Sequence, residues 1–302
     1  MGSNMENNKE KKNGGNRNKA TFWKIGFFVF LAAFLCIGAV TVKRYLDRKA
    51  ASDKLAELAE STRPEESSAP APTETPTPAE SSAAESAESK EEKISYMSLE
   101  ELGIEVPVKE IDWDALHAEN EDIYAWIYLP PTPIDYPVLQ HPTDPDFYLD
   151  RNIDLSEGYP GCIYSQCGNS KDFTDPNTVL YGHNMYDNLM FTTLHWFEGL
   201  EFFESTPYVY IYTPDKVLVY EIYAAYTTNN MNQLTSFDYS SPANFQAYLD
   251  YTRSGTGETD HFRYDIELTY DNHILTLSTC VDQHHELRYL VQAVLLNESA
   301  LS

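Results

Sequence analysis

The sequence predicts a mainly β protein: a largely antiparallel barrel decorated by helices, set behind an apolar anchor and a linker. Three observations carry this. Short runs rich in Val, Ile, Tyr, Leu and Thr, about eight of them, recur from residue 125 onward and read as strands. Turn residues separate them, with no regular alternation of strand and helix, which excludes a parallel βαβ sheet. The first third differs in composition and holds too few large apolar residues outside one run to build a core.

The chain has 302 residues and a formal net charge of −26, from 47 acidic and 21 basic residues. Past residue 64 the only arginines are Arg151, Arg253, Arg263 and Arg288. Such an acidic surface repels phosphate, and no basic patch opposes it, so nucleic acid is excluded as a partner.

Residues 1–24 are polar and rich in Asn and Lys, and read as a cytoplasmic tail. Residues 25–42 are uncharged and apolar, and as a helix they would span about 27 Å, close to the hydrocarbon thickness of a bilayer. A cleaved signal peptide is the rival, but Lys43-Arg44 follows at once where a small-residue cleavage site belongs. An uncleaved single-pass anchor in the cell membrane is the expectation. Lys9, Lys11, Lys12, Arg17, Lys19 and Lys24 precede the run, and Lys43, Arg44, Arg48, Lys49 and Lys54 follow it. That balance gives a slight preference for an inside N-terminus, with the acidic part outside.

Residues 43–93 form a juxtamembrane segment and linker. A short helix over 50–60 has Leu55 and Leu58 on one side, and a Pro/Ser/Thr/Ala/Glu stretch follows. The stretch is stiffened by proline and reaches on the order of 100 Å at full extension. The folded domain is expected over 94–302.

Within it, residues 112–120 suggest a short helix. Residues 125–129 read as a strand ended by Pro130-Pro131, and 134–140, 161–165 and 177–183 as further strands. Residues 188–197 look helical, with Leu189, Thr193 and Phe197 at i, i+4 and i+8. Strands at 208–212 and 217–226 flank the turn Thr213-Pro214-Asp215-Lys216. Ser241 as N-cap and Pro242 at the first position start a helix that turns Phe245 and Leu249 to one face. Strands at 273–280 and 287–296 close the domain, with residues 281–286 as the loop between them.

Chemistry concentrates at strand ends. Cys280 ends one strand, His183 ends another, and Arg288 begins the strand that pairs most simply with the Cys strand. A thiol reacts as its thiolate, so a cation or a proton acceptor must favour ionisation. His183 suits proton transfer, and Arg288 suits holding an oxyanion or a substrate backbone with forked donors. Taken alone, a Cys at a strand end is more often a small buried hydrophobe. Cys162 and Cys167 are near enough in sequence to form a disulfide, leaving Cys280 free; two separate buried thiols is the alternative. His284-His285 and His195 lack any metal-ligand spacing, so neither a metal nor a cofactor is expected.

The local wording adds to this. Tyr181-Gly182-His183-Asn184-Met185, and Thr276-Leu277-Ser278-Thr279-Cys280 followed by Arg288-Tyr289-Leu290-Val291-Gln292, resemble the sortases, membrane-anchored cysteine transpeptidases of Gram-positive bacteria. Asp122-Ile123-Tyr124-Ala125-Trp126-Ile127, residues 134–140, Phe173-Thr174-Asp175-Pro176-Asn177-Thr178 and the helix from Pro242 look most like class B. The likeness covers about residues 108–296.

The resemblance implies a sortase-like eight-stranded β-barrel with N-terminal helices and a helix in the long segment before the Cys strand. It implies His183, Cys280 and Arg288 as catalytic residues, with Ser278 and Thr279 on the substrate side. It also implies cleavage of a C-terminal sorting signal after Thr, a thioester on Cys280, and transfer to an amine of the cell-wall precursor or of a pilin. An Asn-Pro-x-Thr type of signal is the expected partner. Where the family often has an acidic residue directly after the Cys, this chain has Val281, with Asp282 one further on.

Rival readings are a papain-like or amidase fold, in which Cys usually precedes His, and an L,D-transpeptidase, whose Cys normally follows Gly and has Arg close after it. A non-catalytic surface adhesin would use the same anchor and linker.

Overall fold

The computed structural model describes residues 14–63, 99, 102–282 and 284–300. Most of the expected linker, and the start expected for the catalytic domain at residue 94, therefore lie outside the described residues. Two compact units divide the chain, Met1–Ala50 and Ala51–Ser302. Helix α1 (Gly14–Ser61) carries the apolar run. From Trp23 it is long and apolar enough to cross a membrane, with a mean hydropathy of 2.6.

In the second unit, the last turns of α1 pack on the barrel: Leu55 joins the main core cluster, with Leu58 and Ala59 at the edge of a second. Helix α2 (Trp113–Glu119) is capped by Asp112, whose carboxylate accepts from the Ala115 N–H at 2.9 Å. The strands are β1 (Ile123–Leu129), β2 (Ile134–Leu139), β3 (Ile163–Ser165), β4 (Asn177–Tyr181), β5 (Tyr208–Tyr212), β6 (Lys216–Asn229), β7 (His261–Phe262), β8 (Ile274–Val281) and β9 (His284–Ala300). Helices α3 (Leu200–Ser205) and α4 (Pro242–Tyr251) complete the unit.

The strand order is β5-β1-β2-β3-β4-β8-β9-β6-β7, and a further β5–β6 pairing closes eight strands into a barrel with β7 as an outlier on β6. Closure removes the open edges that would otherwise recruit other chains. Two pairings, β2–β3 and β4–β8, are parallel; the rest are antiparallel. Parallel strands are ordinarily covered on both faces, and β4 follows suit, with Asn177 to Leu180 all buried.

Side-chain alternation sorts β8 cleanly. Leu275 and Leu277 point into the barrel core with Leu180, Val291 and Ala293. On the outer face Ile274 packs under Phe245, Tyr248 and Leu249 of α4. Beside it Thr276 donates to Asn177 Oδ1 at 2.7 Å and accepts from Gln292 Nε2 at 2.8 Å, while the Tyr223 and Tyr226 hydroxyls donate to Gln292 Oε1. Ser278 is only 4 % exposed, and Cys280, two residues on, emerges partly exposed.

The segment expected to be helical over 188–197 is not an α-helix. It is a left-handed turn at Asp187, Asn188 and Met190 followed by a 3₁₀ run over Thr192–Glu198. Met190, Phe191, Leu194 and Phe197 all reach the core, the last three at the three-residue spacing of a 3₁₀ turn rather than the i, i+4, i+8 spacing of Leu189, Thr193 and Phe197. The loop expected over 281–286 is also shorter, because β8 runs to Val281 and β9 starts at His284.

The β1–β2 hairpin, the segment before α2 and the end of α1 meet at a buried ion pair. Lys109 Nζ lies 2.8 Å from Asp135 Oδ2, and its side chain is 5 % exposed. Lys109 also donates to Thr62 Oγ1 at 2.9 Å, and Trp126 Nε1 donates to the other Asp135 oxygen at 2.6 Å. Asp135→Ala strands the lysine without its counter-ion and should cost about 3–5 kcal/mol in urea unfolding, with Lys109→Met in the same chain recovering most of it.

Candidate active site

The site is built by continuing the β4–β8 pairing past the end of β4. Tyr181 is level with Ser278, and the Gly182 N–H still donates to the Ser278 carbonyl at 3.2 Å. One residue further, His183 stands level with Cys280. Across β8, Cys280 is the ladder partner of Arg288 on β9. The structure thus brings His183, Cys280 and Arg288 into one row over three neighbouring strands, on the face opposite the barrel core. The ladder shifts between Cys280 and Val281, so Cys280 is the last regular residue before the bend.

Each side chain is held by its surroundings. His183 Nε2 meets the Leu149 carbonyl at 2.5 Å; a carbonyl only accepts, so Nε2 carries the hydrogen and Nδ1 is the basic atom of the neutral ring. Burial lowers the His183 pKa, opposed by the Leu149 hydrogen bond and the Asp150 charge. The ring sits 4.9 Å from Tyr159. Behind it, Gly161 at φ 69° has no room for a side chain: a Cβ would lie 2.8 Å from the Leu149 carbonyl oxygen and 3.4 Å from His183 Cδ2.

Arg288 Nη1 donates to the Leu287 carbonyl at 2.9 Å. Its charge reaches beyond β8, since it opposes the upward push that burial gives the Tyr164 and Tyr181 phenols, which stack at 5.5 Å on β3 and β4. Cys280 lies on the strand between Arg288 and Tyr181.

Ser278 and Thr279 offer no exposed side chain for a substrate. Both are buried, and the Thr279 hydroxyl donates to the Gly182 carbonyl at 2.9 Å, pinning the His strand to the Cys strand. Cys162 and Cys167 are not paired: all four cysteines are free thiols, with Cys162 buried and Cys167 exposed. His195 lies beside Glu198 and the Cys280 backbone, whereas His284 is an exposed partner of Glu286 at 3.5 Å. Gly161 and the Leu149 carbonyl were not legible as site elements, since only the folded loop carries them to the imidazole.

A closed eight-stranded barrel presenting a Cys, a His and an Arg in one row defines a class of cysteine transpeptidase. The Sortase domain family matches residues 127–296, and the chain belongs to that family, whose enzymes act on sorting-signal-bearing proteins and cell-wall amines. It is a class B sortase. Sortase B of Staphylococcus aureus is 28% identical over 204 residues, covering 66% of this chain and 82% of that one. Sortase B of Listeria monocytogenes is 30% identical over 161 residues, covering 53% and 63%. The crystal structure of Clostridium perfringens sortase B superposes with a TM-score of 0.55 at 30% identity, covering 61% of this chain and 99% of that one.

Two outcomes follow from the geometry. Gly182 is packed so closely that a Cβ would lie 2.5 Å from Ile163 Cδ1 and 2.7 Å from the Phe191 ring. Gly182→Ala should therefore destabilise by about 1–3 kcal/mol in urea and displace His183, read as a loss of turnover larger than the loss of fold. Because burial depresses the His183 pKa, the unfolded chain binds more protons than the folded one between that lowered value and the ordinary one of about 6.5. The His183 contribution to stability is fully present above that range and declines as pH falls through it. Denaturation midpoints at stepped pH should show a slope there that His183→Asn flattens.

Proposed function

We propose that Cys280 is the nucleophile of this transpeptidase, His183 its proton carrier and Arg288 its oxyanion and substrate-backbone donor. The observation supporting this is the single row the three residues form across β4, β8 and β9. Cys280 Sγ, its proton passed to His183 Nδ1, attacks the carbonyl carbon of Thr in a sorting signal of the Asn-Pro-x-Thr type, and the Thr carbonyl oxygen becomes an oxyanion under the Arg288 guanidinium. The C–N bond breaks, His183 gives a proton to the leaving amine, and the protein remains as a thioester on Cys280. An amine of the cell-wall precursor, or of a pilin, then attacks the thioester and yields its proton to His183 as the thiolate departs. Binding Nε2 to the Leu149 carbonyl supports proton traffic at Nδ1, the remaining ring nitrogen.

The apolar helix from Trp23 supports membrane anchoring, and the basic residues before it support an inside N-terminus with the catalytic unit outside.

The deciding experiment is Cys280→Ala against a fluorogenic sorting peptide, with mass capture of the acyl-enzyme in the parent chain. Cleavage should fall by at least about a thousandfold, and the adduct should map to the peptide carrying Cys280. Undiminished cleavage in the variant would sink the assignment, and a parent chain that cleaves nothing would favour the adhesin reading.

A further inference from the structure

A second histidine acts on the same cysteine through its backbone. In a parallel ladder donors recur every second residue, so after Gly182 N–H to Ser278 the next rung would be Asn184 N–H to the Cys280 carbonyl. That rung is missing. Asn184 has left the ladder for an antiparallel bridge with Met190. Two side chains replace it: Asn184 Nδ2 donates to the Cys280 carbonyl at 3.0 Å, and His195 Nε2 meets the same oxygen at 3.0 Å.

The His195 ring is fixed from three sides. Its Nδ1 lies 2.6 Å from Glu198 Oε1, a partner three residues on that the 3₁₀ run places directly beside it. Its face stacks on Tyr289 of β9, with centroids 4.9 Å apart and planes at 27°. Its edge abuts Asn184, which spends its two amide hydrogens on the Cys280 carbonyl and on Asp282 Oδ1 at 3.1 Å. Nδ1 thus faces the Glu198 carboxylate and Nε2 the Cys280 carbonyl, each placed to donate to an oxygen, with Asn184 Nδ2 3.2 Å from Nε2.

We propose that His195, braced by Glu198, is a positioning residue that clamps the carbonyl of Cys280 and holds the nucleophile at the strand exit. This rests on Cys280 being the nucleophile. The clamp supplies at the bend what the ladder no longer supplies, because the register shift after Cys280 would otherwise leave that peptide free to rotate. A ring N–H donated to the Cys280 carbonyl also draws electron density from that peptide, next to the sulfur it carries. The titratable groups around the ring are Glu198 on its own turn, Asp282 through Asn184, Cys280 on β8 and Tyr289 on β9; His261 meets the Glu198 backbone carbonyl from β7.

The test uses the full chain carrying His195→Ala, His195→Gln or Glu198→Gln, with Cys280→Ala as reference. Measured quantities are kcat and KM on a sorting peptide, the pH profile of alkylation of the peptide carrying Cys280 (by mass spectrometry), and the thermal midpoint. Losing the hydrogen bond that holds the nucleophile's own peptide should lower kcat by about tenfold or more in His195→Ala, with KM little changed. Its alkylation midpoint should move to higher pH. Glu198→Gln should fall between the two, and His195→Gln, which keeps a donor, should recover part of kcat but not the alkylation midpoint. A histidine that merely braces its turn predicts a lower thermal midpoint with kcat and alkylation profile intact, and that result overturns the proposal. If His195→Ala does not fold, Glu198→Gln decides by the same two readouts. Parent-like kcat in His195→Ala alongside an inactive Cys280→Ala removes the clamp and spares the nucleophile; an active Cys280→Ala removes both.

Discussion

The parallel pairing of β4 with β8 is the constraint on which the site depends. It sets His183 level with Cys280, and the period of two along each strand does the rest. A slip of one residue would send one of the two side chains into the barrel core and leave the other facing out. Several features make that slip costly. Leu180 and Leu277 lock the inner face, the Asn177–Thr276–Gln292 hydrogen bonds lock the outer one, and the Thr279 hydroxyl ties the strand ends together at Gly182. A buried polar network with every member partnered specifies register better than apolar packing alone, since each alternative leaves a donor or acceptor unmet.

Charge is distributed with the same economy. The chain carries a formal −26, yet the site row holds a guanidinium, and the phenols around it are kept neutral by burial. Burial also favours the uncharged His183 ring, so the imidazole is set up to accept a proton rather than to hold one permanently.

Much of this was legible in the sequence. The hairpin around Pro214-Asp215, the Ser241-Pro242 helix start and the strand into Cys280 were all readable because local chemistry decides them. The His and Cys motifs marked two of the row's members, and Arg288 followed from the simplest antiparallel pairing. Nonlocal facts were not readable. The β1–β5 and β6–β9 pairings that complete the barrel, the 3₁₀ geometry of Thr192–Glu198 and the return of Gly161 behind His183 depend on segments distant in sequence. His195 was visible only as a histidine without metal-ligand spacing, because its target is a backbone carbonyl 85 residues away. Ser278 and Thr279 belong to the motif but are buried, a distinction that wording alone does not carry.

The burial of Leu55 has a practical consequence. Composition invites a soluble version cut at the Pro/Ser stretch, but the folded unit begins at Ala51, and Thr62 takes part in its hydrogen bonding through Lys109 and the Glu110 N–H. Cutting downstream would uncover the apolar surface beneath Leu55 and deprive Lys54–Glu119 of one member. A preparation meant to be detergent-free is better started in the stretch just after the hydrophobic run, even though little there looks like part of a domain.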